Sequence, residues 1–163
     1  MDHWVVDAGP FIHLGQTGHL KLLQRLPRLV VPPSVVHELR SARLSLARWP
    51  NVTISAARGH PPRALEAQRA HTTLHRGELD CLRLALELHP CIFLTDDLAA
   101  RTVAEKLQIE VHGTVGLIAY GVKRQWLSVS VAEEALKALY HRSSLFITST
   151  IIEGAIQRLK EAA

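Results

Sequence analysis

The sequence predicts an α/β fold with a mostly parallel central sheet. Short apolar runs alternate along the chain with longer segments whose apolar residues recur at helical spacing, and this alternation is typical of βαβ units. Four of the apolar runs also end at, or lead directly into, acidic residues. Open parallel sheets place their working residues at the carboxyl ends of their strands, so the acids support the same fold.

The first third of the chain predicts three strands with helices between them. The strands are expected at residues 3–6, 29–31 and 52–54, the last at an edge of the sheet. A helical region containing two glycines separates the first two strands. Pro32 and Pro33 begin the next helix, because proline fits a first helical turn, and Ser34 is expected to cap it.

Residues 57–76 interrupt this pattern. The segment contains Pro61 and Pro62, four arginines and a single acid, Glu66. Its composition predicts an exposed loop or a loosely packed helix. It fits either a solvated connection between elements or a basic arm that contacts phosphate groups.

The second half of the chain alternates more sharply. A helix is expected from Gly77 until Pro90 ends it, and a helix at 98–107 is expected between strands at 91–94 and 109–111.

Three more helices are predicted towards the C-terminus. They are expected at residues 113–118, 131–140 and about 148–159. Ser130 is the expected N-cap of the second of these helices. The last two look like an addition to an α/β core. The chain is long enough for one domain with a sizeable core. We therefore expect a single domain over residues 1–163, with a core of about 1–125 and a helical extension of about 126–163.

Composition and charge restrict the classes of function. Hydrophobic residues make up 47% of the chain and charged residues 21%, as in globular rather than disordered proteins. A net charge of +4 with a sequence pI near 9.4 favours polyanionic partners. Cys81 and Cys91 lie in apolar segments, which is typical of reduced core cysteines in a reducing cytosol. No apolar stretch reaches membrane-spanning length and no signal peptide is recognisable, so we expect a cytoplasmic protein without membrane contact.

Acidic residues lie at the ends of predicted segments in four separate parts of the chain. They are Asp7, Glu38, the pair Glu78 and Asp80 at the head of a helix, and the pair Asp96 and Asp97. Taken singly, each acid fits a helix cap or a surface position. Taken together they predict one shared site, because clustered carboxylates repel one another and a divalent cation with oxygen ligands relieves that repulsion.

The chain resembles the PIN domain family in five motifs that occur in the family's order. The motifs are VVDAGPFIHL, VPPSVVHEL, RGELDCLRLALE, IFLTDD followed by Arg101, and VHGTVGLI. They extend from about Trp4 to Ile118. The resemblance implies a Rossmann-like three-layer α/β/α sandwich and a metal-dependent nuclease. Many bacterial and archaeal members resemble the VapC toxins, which cut RNA, and the C-terminal helices resemble one subgroup of predicted nucleic-acid-binding PIN proteins.

The resemblance also implies the residues of the active site. The catalytic acids that it assigns are Asp7, Glu38, Asp80 and Asp97. These acids would hold one or two Mg²⁺ or Mn²⁺ ions, which polarise the scissile phosphate and activate a water. Glu78 and Asp96 are further candidate metal ligands, and Thr95 supplies a supporting hydroxyl. A homodimer with pairing apolar helices, and an antitoxin that blocks the acids, are also implied.

Substrate contacts are expected next to the acids. Arg101 lies about one helical turn past them, and Thr114 begins a helix whose free N–H groups can receive a phosphate. A surface charge and a simple turn with a cap are the structural alternatives for these two positions. One position departs from the family pattern, because Gly9 stands where the family often has Ser or Thr two places after the first Asp. This departure leaves weaker or altered activity open.

Other classes of function fit the sequence less well. A PIN fold kept as a scaffold for RNA or protein, without turnover, is the main alternative to the nuclease. A phosphatase of the haloacid dehalogenase type needs a second Asp two places after its nucleophile, where this chain has Gly9. The ten histidines include no HExxH motif and no paired Cys/His set, which argues against zinc. An aromatic content of 5% argues against a base-stacking platform of the RRM or OB type.

Overall fold

The computed structural model describes residues 3–162 and contains five strands and nine helices in that range. The strands are β1 (Trp4–Val6), β2 (Leu29–Val31), β3 (Val52–Ile54), β4 (Ile92–Leu94) and β5 (Glu110–His112). The helices are α1 (Ala8–Gln16), α2 (Lys21–Gln24), α3 (Pro33–Ser41), α4 (Arg63–Arg69), α5 (Arg76–Glu87), α6 (Leu98–Lys106), α7 (Thr114–Lys123), α8 (Val129–Arg142) and α9 (Ser149–Glu161).

The strands form one sheet in the order β3-β2-β1-β4-β5, and every neighbouring pair is parallel. Helices cover the sheet in an α/β/α sandwich, which confirms the predicted fold class, with a sheet that is wholly rather than mostly parallel. The chain order reverses at β1, which pairs with β2 on one side and β4 on the other. Open α/β sheets bind ligands outside the carboxyl ends of the strands at such a switch point. The topology therefore predicts a ligand-binding site at the residues that follow β1 and β4.

The three central strands of the sheet form the buried base of that switch point. Every residue of β1, β2 and β4 is buried, as expected for parallel strands covered by helices on both faces. Val6 and Leu94, the last residues of β1 and β4, pair with each other and are both fully buried. Burial of each such side chain contributes roughly 1.5–3 kcal/mol. The packed core therefore fixes the backbone position of the residues that immediately follow these strands.

The prolines set the start of α3, but the predicted cap is wrong. Pro33 occupies the first helical turn, as the Pro-Pro pair predicted. The N-cap is Pro32, and the side chain of Ser34 makes no capping hydrogen bond. The cap lies before Pro33, because proline favours the first helical position and Ser34 is already inside the helix. The Ser34 hydroxyl is buried without a hydrogen-bond partner among residues 3–162.

The remaining differences concern element boundaries. The helical region predicted between the first two strands is split into α1 and α2, and Gly18 between them adopts φ +79°, which glycine reaches without strain. Residues 57–76 include one short helix, α4, whose Leu65 is fully buried. Ser128, rather than Ser130, caps α8, because its Oγ accepts the Val131 N–H at 3.2 Å.

The two C-terminal helices pack against the α/β core. α8 contacts α1 and α7, and α9 contacts α7 and α8. The loop between α8 and α9 consequently lies over the carboxyl side of the sheet, where Ser144 hydrogen-bonds to Gln16 at the end of α1. Within residues 3–162, no helix has the length and hydropathy needed to cross a membrane.

Candidate active site

A cavity of about 880 Å³ opens beside the carboxyl ends of β1 and β4. Five acidic residues contribute to its lining: Asp7, Glu38, Glu78, Asp96 and Asp97. They come from the end of β1, from α3, from the head of α5 and from the end of β4. Among the described residues, Arg76 is the only Lys or Arg in the lining, and its side chain is largely exposed. The structure thus gathers five of the six acids singled out from the sequence, and Asp80 lies outside the cavity.

Asp7 is a buried carboxylate at the N-cap of α1. Its Oδ1 accepts the Ala8 N–H at 2.8 Å, and its Oδ2 accepts the Thr95 hydroxyl at 2.9 Å. Burial, with smaller contributions from the carboxylates of Glu38 and Asp97, nevertheless raises the pKa of Asp7 to about 6. The protein around Asp7 therefore compensates its negative charge only in part.

Thr95 connects Asp7 to Asp97. The Thr95 side chain is fully buried, and its hydroxyl donates to Asp7 and accepts the Asp97 N–H at 3.2 Å. Asp97 is the N-cap of α6, and its Oδ1 accepts the Ala100 N–H at 2.7 Å. Asp97 therefore both caps α6 and lines the shared cavity. Asp7 and Asp97 are held in one fixed arrangement by a single hydroxyl.

The head of α5 presents Glu78, and not Asp80, to the cavity. Glu78 is buried, and its Oε2 accepts the backbone N–H of His75 at 2.7 Å. Burial raises the pKa of Glu78, and Asp97 and Asp7 raise it further. Asp80 instead lies 3.8 Å from Arg76 Nε and 3.9 Å from Arg83 Nη1. The physical reason is helical geometry, because two residues correspond to about 200° of rotation around the helix axis. Of the two candidate ligands at the head of α5, Glu78 lines the cavity and Asp80 does not.

Two carboxylates lie close to the first turn of α5 at Gly77. A Cβ atom on Gly77 would lie 3.5 Å from Glu38 Oε2 and 3.7 Å from Asp7 Oδ1. Glu38 is exposed on the facing helix α3, and its carboxylate makes no hydrogen bond or ion pair within the described part of the chain. Gly77 is a site residue that the sequence analysis missed, although it directly precedes Glu78 in the RGELD motif.

Asp96 accepts three hydrogen bonds from two residues, His13 and Thr114. Its Oδ2 lies 2.7 Å from His13 Nδ1, which must be the donor because a carboxylate only accepts. The same oxygen accepts the Thr114 hydroxyl and Oδ1 accepts the Thr114 N–H, both at 2.6 Å. Asp96 therefore joins the end of β4 to the last turn of α1 and to the start of α7. This arrangement leaves little capacity for the metal ligation expected of Asp96 or for the phosphate contact expected of Thr114.

Arg101 lies in a neighbouring cavity. That cavity has a volume of about 470 Å³ and is lined by Arg101, His112 and Asp96 together with several apolar side chains. Arg101 Nη1 lies 3.2 Å from the position of a Cβ on Gly113. The expected substrate contact is thus next to the acidic cavity rather than within it.

Two further features of the lining were not foreseen from the sequence. His13 lines the acidic cavity with the ring that binds Asp96, and Phe146 lines both cavities from the loop between α8 and α9. His13 was one of ten histidines without a spacing pattern, and no local signal places a loop from the C-terminal helices at this rim. Gly9 also lines the acidic cavity, and a Cβ there would lie 3.4 Å from His13 Cε1, an ordinary contact.

The donor set fits a hard divalent cation. No three or more His, Cys, Asp and Glu side chains in residues 3–162 are arranged to hold a metal ion directly. However, Mg²⁺ keeps several waters and needs only one or two direct carboxylates, and Mn²⁺ also prefers oxygen ligands. Burial and, to a smaller extent, the neighbouring carboxylates raise the pKa of Asp7 and of Glu78, so the negative charge of both side chains is poorly compensated. A divalent cation between them would compensate that charge.

Comparison with known proteins agrees with this geometry. A family model described as PIN domain matches residues 3–161, whereas no curated protein matches the chain significantly. PIN domains are generally nucleases and typically use divalent metals. The match covers nearly the whole chain and includes every strand and the cavity described above. The chain therefore belongs to the PIN domain family.

Proposed function

We propose that this protein is a metal-dependent endoribonuclease that hydrolyses RNA phosphodiester bonds with Mg²⁺ or Mn²⁺. The observation that carries the proposal is the convergence of Asp7, Glu78 and Asp97 on one cavity at the switch point of the sheet. Burial and mutual repulsion raise the pKa of Asp7 and of Glu78. Such an arrangement is costly to the empty protein, so its natural explanation is a bound cation.

Asp7, Glu78 and Asp97 would hold the cation, with Glu38 at the rim. A bound divalent cation there would polarise the scissile phosphate and lower the pKa of a bound water. The Thr95 hydroxyl bonds to the Asp7 side chain and the Asp97 backbone and so positions both residues. The His75 N–H orients Glu78. Glu38 is exposed and has no partner among the described residues. It is thus the carboxylate best placed to accept a proton from an attacking water.

The biological role that we propose is the toxin of a type II toxin–antitoxin pair. The resemblance to VapC toxins and to the PIN subgroup with C-terminal helices supports this role, as does the net charge of +4, which suits an RNA substrate. The proposal includes a cytoplasmic homodimer, an antitoxin that covers the acidic cavity, and one PIN-like domain with a helical extension over about 126–163.

The direct test is incubation of the purified protein with total RNA in Mn²⁺, in Mg²⁺ and in EDTA. We expect shortened RNA in the first two buffers and intact RNA in EDTA. The same protein should melt at a higher temperature in Mn²⁺ than in EDTA, because a ligand that binds only the folded state stabilises it. Equal cleavage in EDTA would point to a contaminating, metal-independent ribonuclease and against the proposal.

A binding module without turnover is the second candidate. Two observations favour it: the ligating side chains are not pre-arranged around an ion, and Gly9 replaces the hydroxyl residue common in the family. This candidate predicts RNA binding without shortened products in any divalent cation. It also predicts a melting temperature that Mn²⁺ does not change.

A further inference from the structure

Phe146 is an aromatic side chain held almost wholly in water. It is 99% exposed, the highest value among the large hydrophobic residues that the structure describes as exposed. It lines both the acidic cavity and the neighbouring cavity that contains Arg101, so its ring stands at the border between them. Exposed apolar surface that is rimmed by polar residues is typical of a ligand-binding groove.

The loop that carries Phe146 is anchored on both sides of the ring. Ser144 N and Oγ bind Gln16 Oε1 at 2.7 and 3.0 Å, and the Leu145 N–H donates to Ser143 Oγ at 3.2 Å. Ile147, on the other side, is half-buried and packs against the hydrophobic core. The backbone is thus fixed while the ring is displayed, as a preformed contact requires.

Arg101 lines the neighbouring cavity together with Phe146. Arg101 forms no ion pair with any residue in the range 3–162, so its guanidinium is available to an anionic ligand. Phe146 therefore lies between a site suited to a metal-bound phosphate and a free guanidinium. Single-stranded RNA presents this alternation of flat bases and phosphates, and its bases stack on exposed aromatic rings.

On the basis of the proposed ribonuclease function, we propose that Phe146 stacks on a nucleobase next to the scissile phosphate of single-stranded RNA, with Arg101 contacting the following phosphate. A protein partner fits these features less well. It would use the exposed Leu98 and Ile151 beside the second cavity as much as Phe146, and it would have no need of the guanidinium.

The test is RNA binding without cleavage, measured by fluorescence anisotropy on a labelled single strand of about 12 nucleotides in Ca²⁺ and in EDTA. We expect Phe146→Ala to weaken binding about 10-fold, within the range known for one base–aromatic stack. Phe146→Trp should stay within about twofold of the native protein, because it keeps a flat ring. Phe146→Leu should bind as weakly as the alanine variant, because it keeps apolar area without a ring face. Tyr140→Ala is the matched control, since Tyr140 is exposed on α8 but lines neither cavity.

An abasic strand of the same length should bind the native protein and Phe146→Ala equally. Unchanged RNA affinity in Phe146→Ala, full affinity in Phe146→Leu, or no RNA binding by the native protein in either buffer would overturn the stacking role. So would a change of oligomeric state in Phe146→Ala by light scattering, which would assign the ring to an interface between two copies. If the native protein never cleaves RNA but its binding still depends on the ring, the stacking role stands and only the nuclease proposal fails.

Discussion

Two acids at neighbouring strand ends have opposite surroundings. Asp96, after β4, accepts three hydrogen bonds from His13 and Thr114. Asp7, after β1, accepts two hydrogen bonds, but burial, with a smaller contribution from the carboxylates of Glu38 and Asp97, raises its pKa to about 6. Asp96 thus fastens the loop after β4 to neighbouring helices, whereas the negative charge of Asp7 is left poorly compensated. Asp96 therefore helps to build the site, whereas Asp7 is available to a ligand. Substitutions of these two acids should change the free energy of unfolding in opposite directions.

The largest effect is expected for Asp7→Asn on RNA cleavage. Loss of an outer-shell partner of a metal ligand typically costs 10–100-fold, so loss of a proposed ligand should reduce Mn²⁺-dependent cleavage at least ~100-fold. Initial rates on a labelled RNA at saturating Mn²⁺ measure this reduction. Full activity of Asp7→Asn in a preparation free of other ribonucleases would remove Asp7 from the site.

Glu78→Gln and Asp80→Asn form a matched pair on the same helix. Glu78 lines the cavity and Asp80 lies near Arg76 and Arg83. We expect Glu78→Gln to lower cleavage by about 10–100-fold and to abolish the Mn²⁺-dependent rise in melting temperature. Asp80→Asn should keep the cleavage rate and the Mn²⁺-dependent rise in melting temperature within about twofold of the native values, because a partly exposed ion pair contributes little. The reverse result would restore the assignment made from the sequence.

Strand ends and helix order were predictable from the sequence, because they depend on local apolar runs and prolines. β2 and β3 lie where the sequence predicted them, and the acid after β1 follows from the run that ends at Asp7. The choice between Glu78 and Asp80 was not predictable in this way. It depends on which residue begins α5, and an error of one or two positions rotates the opposite face of the helix towards the cavity.

Contacts between distant segments were also beyond the sequence. The bonds from His13 and Thr114 to Asp96 join residues far apart in the chain, and no periodicity predicts such a pairing. Phe146 is a similar case, because its place at the rim depends on how α8 and α9 pack on the core. The low aromatic content predicted the absence of a stacking platform, but it gave no information about a single exposed ring.

The stability of the metal-free protein should fall as pH rises through the weakly acidic range. The pKa of Asp7 rises from 3.8 in the unfolded chain to about 6 in the folded protein, so between these values the folded state binds more protons than the unfolded state. The free energy of unfolding therefore decreases from about pH 4 to about pH 6 and stays low above it, by up to about 3 kcal/mol for this group. Asp7→Asn should remove most of this slope and raise the free energy of unfolding at about pH 7.5 in EDTA, because the amide oxygen can accept the Ala8 N–H while the amide NH₂ donates to the Thr95 hydroxyl. Urea titrations across this pH range measure both quantities, and a less stable Asp7→Asn in EDTA would contradict the prediction.

Asp96→Asn should change stability in the opposite direction. An asparagine offers one accepting oxygen and an NH₂ group, so it cannot accept from both His13 Nδ1 and the two donors of Thr114. A buried donor left without a partner costs about 1–3 kcal/mol, and we expect a loss of this size in the free energy of unfolding with or without Mn²⁺. Urea titration in EDTA compares it directly with Asp7→Asn. Two variants that shift stability in the same direction would erase the contrast between the two acids.

The smallest effect is expected at Gly9, which lies between the two acids on the first turn of α1. A Cβ there would be 3.6 Å from the Cβ of Asp96 and 3.4 Å from His13 Cε1, so a serine fits without displacing either residue. Replacing a helical glycine should raise the free energy of unfolding by roughly 0.5 kcal/mol, and Gly9→Ala gives the same gain without a hydroxyl. The difference between the serine and alanine variants in Mn²⁺-dependent cleavage isolates the hydroxyl that the family often has at this position. We expect that difference to be less than about 5-fold, since Thr95 already holds Asp7 and Asp97, and a hydroxyl bond contributes about 1 kcal/mol. Cleavage seen only in Gly9→Ser would mean that the native chain is a binding module whose catalytic site lacks one hydroxyl.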